Sequence, residues 1–172
     1  EPTTAREPIP AAVAPAHGDM AWRELLAAGR LSDGLAAAHR FGFPRACRLA
    51  TAKELLTLAD AARLFGSHVD AVIPLRILRQ RFANTPDAAS AAFRLGLIAF
   101  EREHDYAEAA RWFEIYLRDQ PSGPLMGDSF GRLMQARSRV GDVQRARSDA
   151  QQYLRRFPEG PYALEARGIL SK

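Results

Sequence analysis

The chain has little cysteine and almost no lysine, and it lacks any long apolar run. Its single cysteine, Cys47, leaves no partner for an internal disulfide and no Cys/His cluster for structural zinc, so it is expected to be a small buried apolar residue. Lys53 and Lys172 are the only lysines, so the basic charge is carried by arginine in an alanine-rich chain, a pattern ascribed to the codon bias of a GC-rich genome. The 24 basic and 20 acidic residues are mixed along the chain and give a formal charge of only +4, so no basic block marks a nucleic-acid surface. No stretch approaches the roughly 18 uninterrupted apolar residues that span a membrane, since "AAFRLGLIAF" is short and broken by Arg94. Neither G-x-G-x-x-G nor a Walker loop occurs, and the four histidines, His17, His39, His68 and His104, form no H-x-x-x-H pair. Phosphate-cradling and metal chemistry are therefore not expected, and no cofactor is assigned.

What is present begins with an apolar fraction of 47% in 172 residues, the length of one ordinary domain. The chain opens on Glu1 without an initiator methionine or leader-like segment, which predicts a processed product or an excised part of something longer. Residues 1–18, with four prolines among the first fifteen, read as a semi-rigid Pro/Ala-rich linker, and 19–172 as a helical domain.

That domain repeats. In "GDVQRARSDAQQYLRRFP", Ala146, Tyr153 and Phe157-Pro158 follow Gly141 at offsets that recur upstream. The aligned small residues Gly34, Ala71, Ala109 and Ala146 are 37, 38 and 37 residues apart, and the third unit carries one extra residue, assigned to its inter-helix loop. Leu55, Leu58, Ala59, Ala62 and Phe65 trace an amphipathic helix before one landmark, and Phe130, Leu133 and Met134 before another, where Arg137 is the discordant member of the stripe. Each unit is thus a helix pair. Thr51 with Glu54 forms a capping box, while Ser67 with Asp70 and Asp105 with Glu108 give further helix starts. Pro121 and Pro158 end second helices, and Pro161 opens a last helix, "PYALEARGIL", that caps the array. Pro74 falls in the first turns of a second helix, which it either kinks or delays. His104, standing where other units place glycine, is expected to adopt a left-handed or turn conformation.

These residues resemble the tetratricopeptide repeat (TPR). Met134, Ala146, Ala150, Tyr153 and Pro158 match that repeat's sequence of small residues at the helix crossing, large residues beyond it and a closing proline, as do Ala109, Phe113, Tyr116 and Pro121. The second unit departs from it with Ala83 in place of proline, and the first unit is the most degenerate. "AAFRLGLIAFEREHDYAEAARWFEIYLRDQPSGP" and "YLRRFPEGPYALEARGIL" are similar to repeats of bacterial envelope proteins: the Tol-Pal system coordinator, outer-membrane-assembly lipoproteins and, above all, the C-terminal regions of FecR-type regulators.

The resemblance implies an all-α, TPR-like solenoid of about four helix pairs with a C-terminal capping helix, acting as a non-catalytic scaffold for a protein or peptide partner. A periplasmic or envelope setting is implied, with a cytoplasmic one as the alternative and membrane attachment only through a parent-protein anchor. Self-association, as a structural module, is the rival to peptide docking. Carried onto this chain, the family's concave surface selects Lys53, Leu56, Asp60 and Arg63 in the second unit. It selects Ser90, Phe93, Leu97 and Phe100 in the third, and Asp128, Gly131, Gln135 and Ser138 in the fourth. Phe93, Leu97 and Phe100 are read as inter-repeat core or as an anchor pocket, with core favoured, and the charged members as its border.

Two other patterns are set aside. "GDSFG" matches the serine-nucleophile elbow, but no strand precedes Ser129 and Phe130 belongs to a helical stripe. Arg132, Arg137, Arg139, Arg145, Arg147, Arg155 and Arg156 lack interleaved aromatics and are interrupted by Asp142 and Asp149, so they read as solvated helix faces rather than a nucleic-acid surface. Of the adjacent Trp112 and Phe113, Phe113 takes the core position and Trp112 is directed to a neighbouring repeat or to solvent.

Overall fold

A computed structural model describes residues 20–171, so the expected linker over 1–18 lies outside the described residues. The described residues form ten α-helices and no strand. The first pair is α1 (Ala21–Ala27) and α2 (Leu31–Phe41), followed by a short α3 (Phe43–Leu49). The second pair is α4 (Ala52–Phe65) and α5 (His68–Arg81). The third is α6 (Pro86–Ile98), prolonged by a π-helical turn (Ala99–Glu103), and α7 (Tyr106–Asp119). The fourth is α8 (Met126–Arg139) and α9 (Val143–Arg156), and α10 (Ala163–Leu170) closes the array. This is the expected all-α solenoid of four helix pairs with a terminal cap.

The helix starts are set by side-chain acceptors that satisfy first-turn amides. Thr51 accepts from the Glu54 amide at 3.3 Å while the Glu54 carboxylate accepts from the Thr51 amide at 2.7 Å, completing the capping box. Ser67 and Asp105 cap α5 and α7 as expected. Thr85, ahead of Pro86, and Asp142 cap α6 and α9 by the same chemistry. With Ser67 as its cap, α5 runs continuously through a buried Pro74, which settles where that helix starts.

Two features depart from the simple repeat. Helix α3 was not expected: Gly42, at φ 96°, breaks the chain direction after α2, and Pro44 lies in the first turn of the new helix. Arg81 reaches back from α5 to donate to the Cys47 and Ala50 carbonyls at 3.2 and 2.9 Å, fastening α3 between the first two pairs. Cys47 is fully buried there, and desolvation pushes its thiol up to about 12, which keeps it an inert apolar residue. The extra residue of the third unit lies within the helical end of α6, where the backbone widens into the π turn. His104 then ends the turn at φ 54°, the left-handed conformation that Gly29 and Gly141 adopt at the equivalent places.

Alanine and glycine at the crossings let large residues interdigitate. Leu55, Leu58, Leu75 and Leu78 fill the second pair, Phe113 and Tyr116 the third, and Met134 and Tyr153 the fourth, all essentially inaccessible. Trp112 is half-buried and leans on the core of the preceding units. A repeated lock joins successive pairs: the Tyr116 hydroxyl accepts from the Leu125 amide at 3.0 Å, and the Tyr153 hydroxyl from the Tyr162 amide at 3.2 Å. Gly123 and Gly160 sit beneath these hydroxyls, where any Cβ would collide with the phenol.

Candidate functional site

A cleft of about 720 Å³ opens between α4, α5 and α6. Ala59, Ala71 and Leu75, all essentially inaccessible, form its apolar floor. Phe93 and Leu97, half-buried on successive turns of α6, form one wall. The Phe93 ring is held by Phe113 and Tyr116, with centroids 5.7 and 5.9 Å away. Leu125 contributes from the segment before α8, positioned by the hydrogen bond of its amide to Tyr116.

The rim is charged. Arg94 pairs with Asp60 across α4 and α6, both about one-third exposed. Glu101 pairs with Arg132 of α8 at 3.0 Å. Arg63 and Arg102 are exposed and have no carboxylate partner among the described residues, and Ser67 and His68 at the start of α5 lie in the same lining. The π turn supplies both Glu101 and Arg102, so the irregular end of α6 borders the cleft.

Of the residues selected from the sequence, the cleft brings together Asp60, Arg63, Phe93 and Leu97. Lys53 is exposed near the start of α4 and Ser90 half-buried near the start of α6, both outside the lining. Phe100 turns away, its ring 5.1 Å from Tyr106 with the Arg132 guanidinium 5.4 Å above it, and belongs to the packing between third and fourth units. The stripe therefore divides: Phe93 and Leu97 both support the core and face the cleft, whereas Phe100 only packs. Asp128 is exposed on α8, but Gln135 donates to Glu165 of α10 at 2.6 Å. Gly131 lies directly under the Tyr162 ring, which any Cβ would strike, so the capping segment packs on α8 at Gly131 and Gln135 and leaves Asp128 exposed. Arg94, Glu101, Arg102, His68 and Leu125 were not selected from the sequence. The 38-residue spacing was the signal available for Glu101 and Arg102, because it marks the unit with a deformed helix end.

Ser129 is completely buried within α8 and its hydroxyl has no hydrogen-bond partner, a setting without the strand-to-helix turn that a nucleophile elbow requires. Arg137 enters the apolar stripe because it bonds the buried Asp149 carboxylate of α9 at 2.6 and 2.7 Å and also pairs with Glu114 of α7. Burial pushes the Asp149 carboxyl above its ordinary range even though Arg137 pulls it down. Among the described residues no cluster of three or more His, Cys, Asp or Glu side chains is arranged to hold a metal ion, and no helix is long and apolar enough to cross a membrane.

No protein-family model and no curated relative matches the chain. Solved structures do. The crystal structure of a kinesin light chain-like protein from Podosopora anserina, built of nearly identical TPR-like repeats, aligns with a TM-score of 0.59 at 18% identity, covering 90% of this chain and 82% of that one. A single-substitution variant of that protein aligns with a TM-score of 0.60 at 17% identity over the same shares. At these identities the likeness establishes architecture, and the chain folds as a TPR-like helical repeat solenoid.

Proposed function

We propose that the protein is a non-catalytic interaction scaffold that docks a peptide segment of a protein partner in the cleft between its second and third helix pairs. The observation that carries this reading is the cleft itself: a recess with an apolar floor and a rim bearing two arginines without a carboxylate partner among the described residues. Rigid helices present the lining, and the Tyr116 hydrogen bond holds Leu125 in place, so little ordering is required on binding. The test is to map amide shifts by nuclear magnetic resonance on titration with peptides selected from a displayed random library. Shifts concentrated in α4, α5 and α6 support the reading; shifts centred on the convex helices or α10 overturn it.

A periplasmic or envelope setting, as part of a FecR-type or assembly protein, is proposed only on the similarity of the third and fourth units to such repeats. Fractionation of the native host protein tests it. A second reading, a self-associating structural module, draws on apolar side chains exposed at inter-helix turns: Leu64, Phe65 and Val69 of the second unit at 53, 57 and 61%, and Val143 of the fourth at 57%. Sedimentation at several concentrations decides this, since a monomer at all of them removes the second reading.

A further inference from the structure

The charge around the cleft is unevenly committed. Five fully charged side chains line it: Asp60, Arg63, Arg94, Glu101 and Arg102. Both carboxylates already have guanidinium partners, Asp60 in Arg94 and Glu101 in Arg132. The two charges left without a partner among the described residues are both positive, Arg63 and Arg102. They belong to corresponding ends of the two walls, Arg63 in the last turn of α4 and Arg102 in the π turn that ends α6. Ser67 and His68 border the lining at the start of α5, adding a hydroxyl and an imidazole. One turn or more away, Phe93, Leu97 and Leu75 supply the apolar part.

We propose that the cleft selects a peptide segment in which a large apolar side chain lies within a few residues of an acidic one. The apolar group sits against Phe93, Leu97 and Leu75, and the carboxylate meets Arg63 and Arg102. This rests on the reading of the cleft as the docking groove and adds the chemistry of its occupant. A basic segment would find no free carboxylate and would have to break the Asp60–Arg94 or Glu101–Arg132 pair to gain one, so the rim rejects it as well as attracting its opposite. Two exposed guanidinium groups without carboxylate partners among the described residues make that end of the lining positive, which favours a carboxylate there. Guanidinium also matches a carboxylate by paired N–H donors, giving a charge-assisted contact that ammonium could not reproduce. A polyanion such as nucleic acid is a poorer fit, because two arginines at one end of an apolar cleft do not track a phosphate backbone.

The experiment selects peptides from a random displayed library on the full chain, then measures their affinities by fluorescence anisotropy for the wild type and for a variant carrying Arg63→Glu and Arg102→Gln. Both positions are exposed, and matched thermal melts verify that the variant folds. The expected result is enrichment of sequences combining Asp or Glu with a large apolar residue, and an affinity loss of about tenfold or more in the variant. Rising salt should weaken wild-type binding more than variant binding. Enriched peptides without acidic bias that still compete at the cleft would overturn the acidic preference and leave the groove intact. If no peptide is enriched, or if binding is indifferent to Leu97→Ala as well as to the arginine changes, the groove reading falls too. Tighter binding of a random oligonucleotide than of any selected peptide would make the site a polyanion surface and sink the proposal.

Discussion

Between α4 and α6 a cleft is left open, whereas around Gly131 and Gln135 of α8 the space is filled by the chain's own cap, with Asp128 left exposed. Both regions are built from the same helix pair, and the difference lies in a few side chains. In the open region Ala59 stands where the fourth unit carries Met134, and charge is satisfied at the rim in partly exposed pairs. In the filled region Gly131 admits the Tyr162 ring, Gln135 bonds Glu165, and Arg137 enters the interior to meet Asp149. The same scaffold thus carries a recess where small side chains line it and a closed contact where an aromatic ring meets a glycine. The third unit, with its deformed helix end, lies at the boundary.

The largest effect should come from breaking the filled region at its buried charge. Arg137→Ala leaves Asp149 desolvated without its main partner and is expected to cost about 3 kcal/mol, read from chemical denaturation. The sign with pH is fixed by the raised carboxyl: its folded-state value exceeds the unfolded one, so stability is greatest below the ordinary carboxylate range and falls as pH rises through the folded value. The variant should accordingly lose more at neutral pH than in mild acid, and equal losses at both would show that Asp149 is not the source.

Gly131→Val should displace Tyr162 and with it α10, at a cost of about 1–3 kcal/mol, with faster amide exchange in α10 and little change in α4 or α5. Uniform exchange throughout would mean that the cap and the open region unfold together.

Removing either tyrosine hydroxyl sharpens the comparison. Tyr116→Phe and Tyr153→Phe should each cost about 1 kcal/mol by melting, because each lock loses one hydrogen bond. Only Tyr116→Phe should also weaken peptide binding, since Leu125 lines the cleft; an equal binding loss in both would detach the lock from the site.

The smallest stability effect is expected from Asp60→Asn. The pair with Arg94 is about one-third exposed, so its loss should change stability by less than about 1 kcal/mol. By freeing a third guanidinium in the cleft it should tighten acidic peptides, and weaker binding would count against the assigned polarity of the rim.

The repeat itself was determined by the sequence, because helix pairing depends on local terms visible in one dimension. Spacing of Gly34, Ala71, Ala109 and Ala146 marks the crossings, Thr51, Ser67 and Asp105 offer acceptors to the first-turn amides, and Pro158 ends a helix by lacking one. Helix α3 escaped that reading because seven residues are too few to display a period, and it is held from a distance by Arg81. Part of the cleft lining was legible for the same reason: residue position around a helix follows from its turn, so Asp60, Arg63, Phe93 and Leu97 could be named. Which of the selected residues stayed open was decided only by tertiary structure. The Glu165 carboxylate that claims Gln135, the Tyr162 ring over Gly131 and the Arg132 cation that claims Phe100 come from elements far along the chain, and no local pattern encodes their meeting.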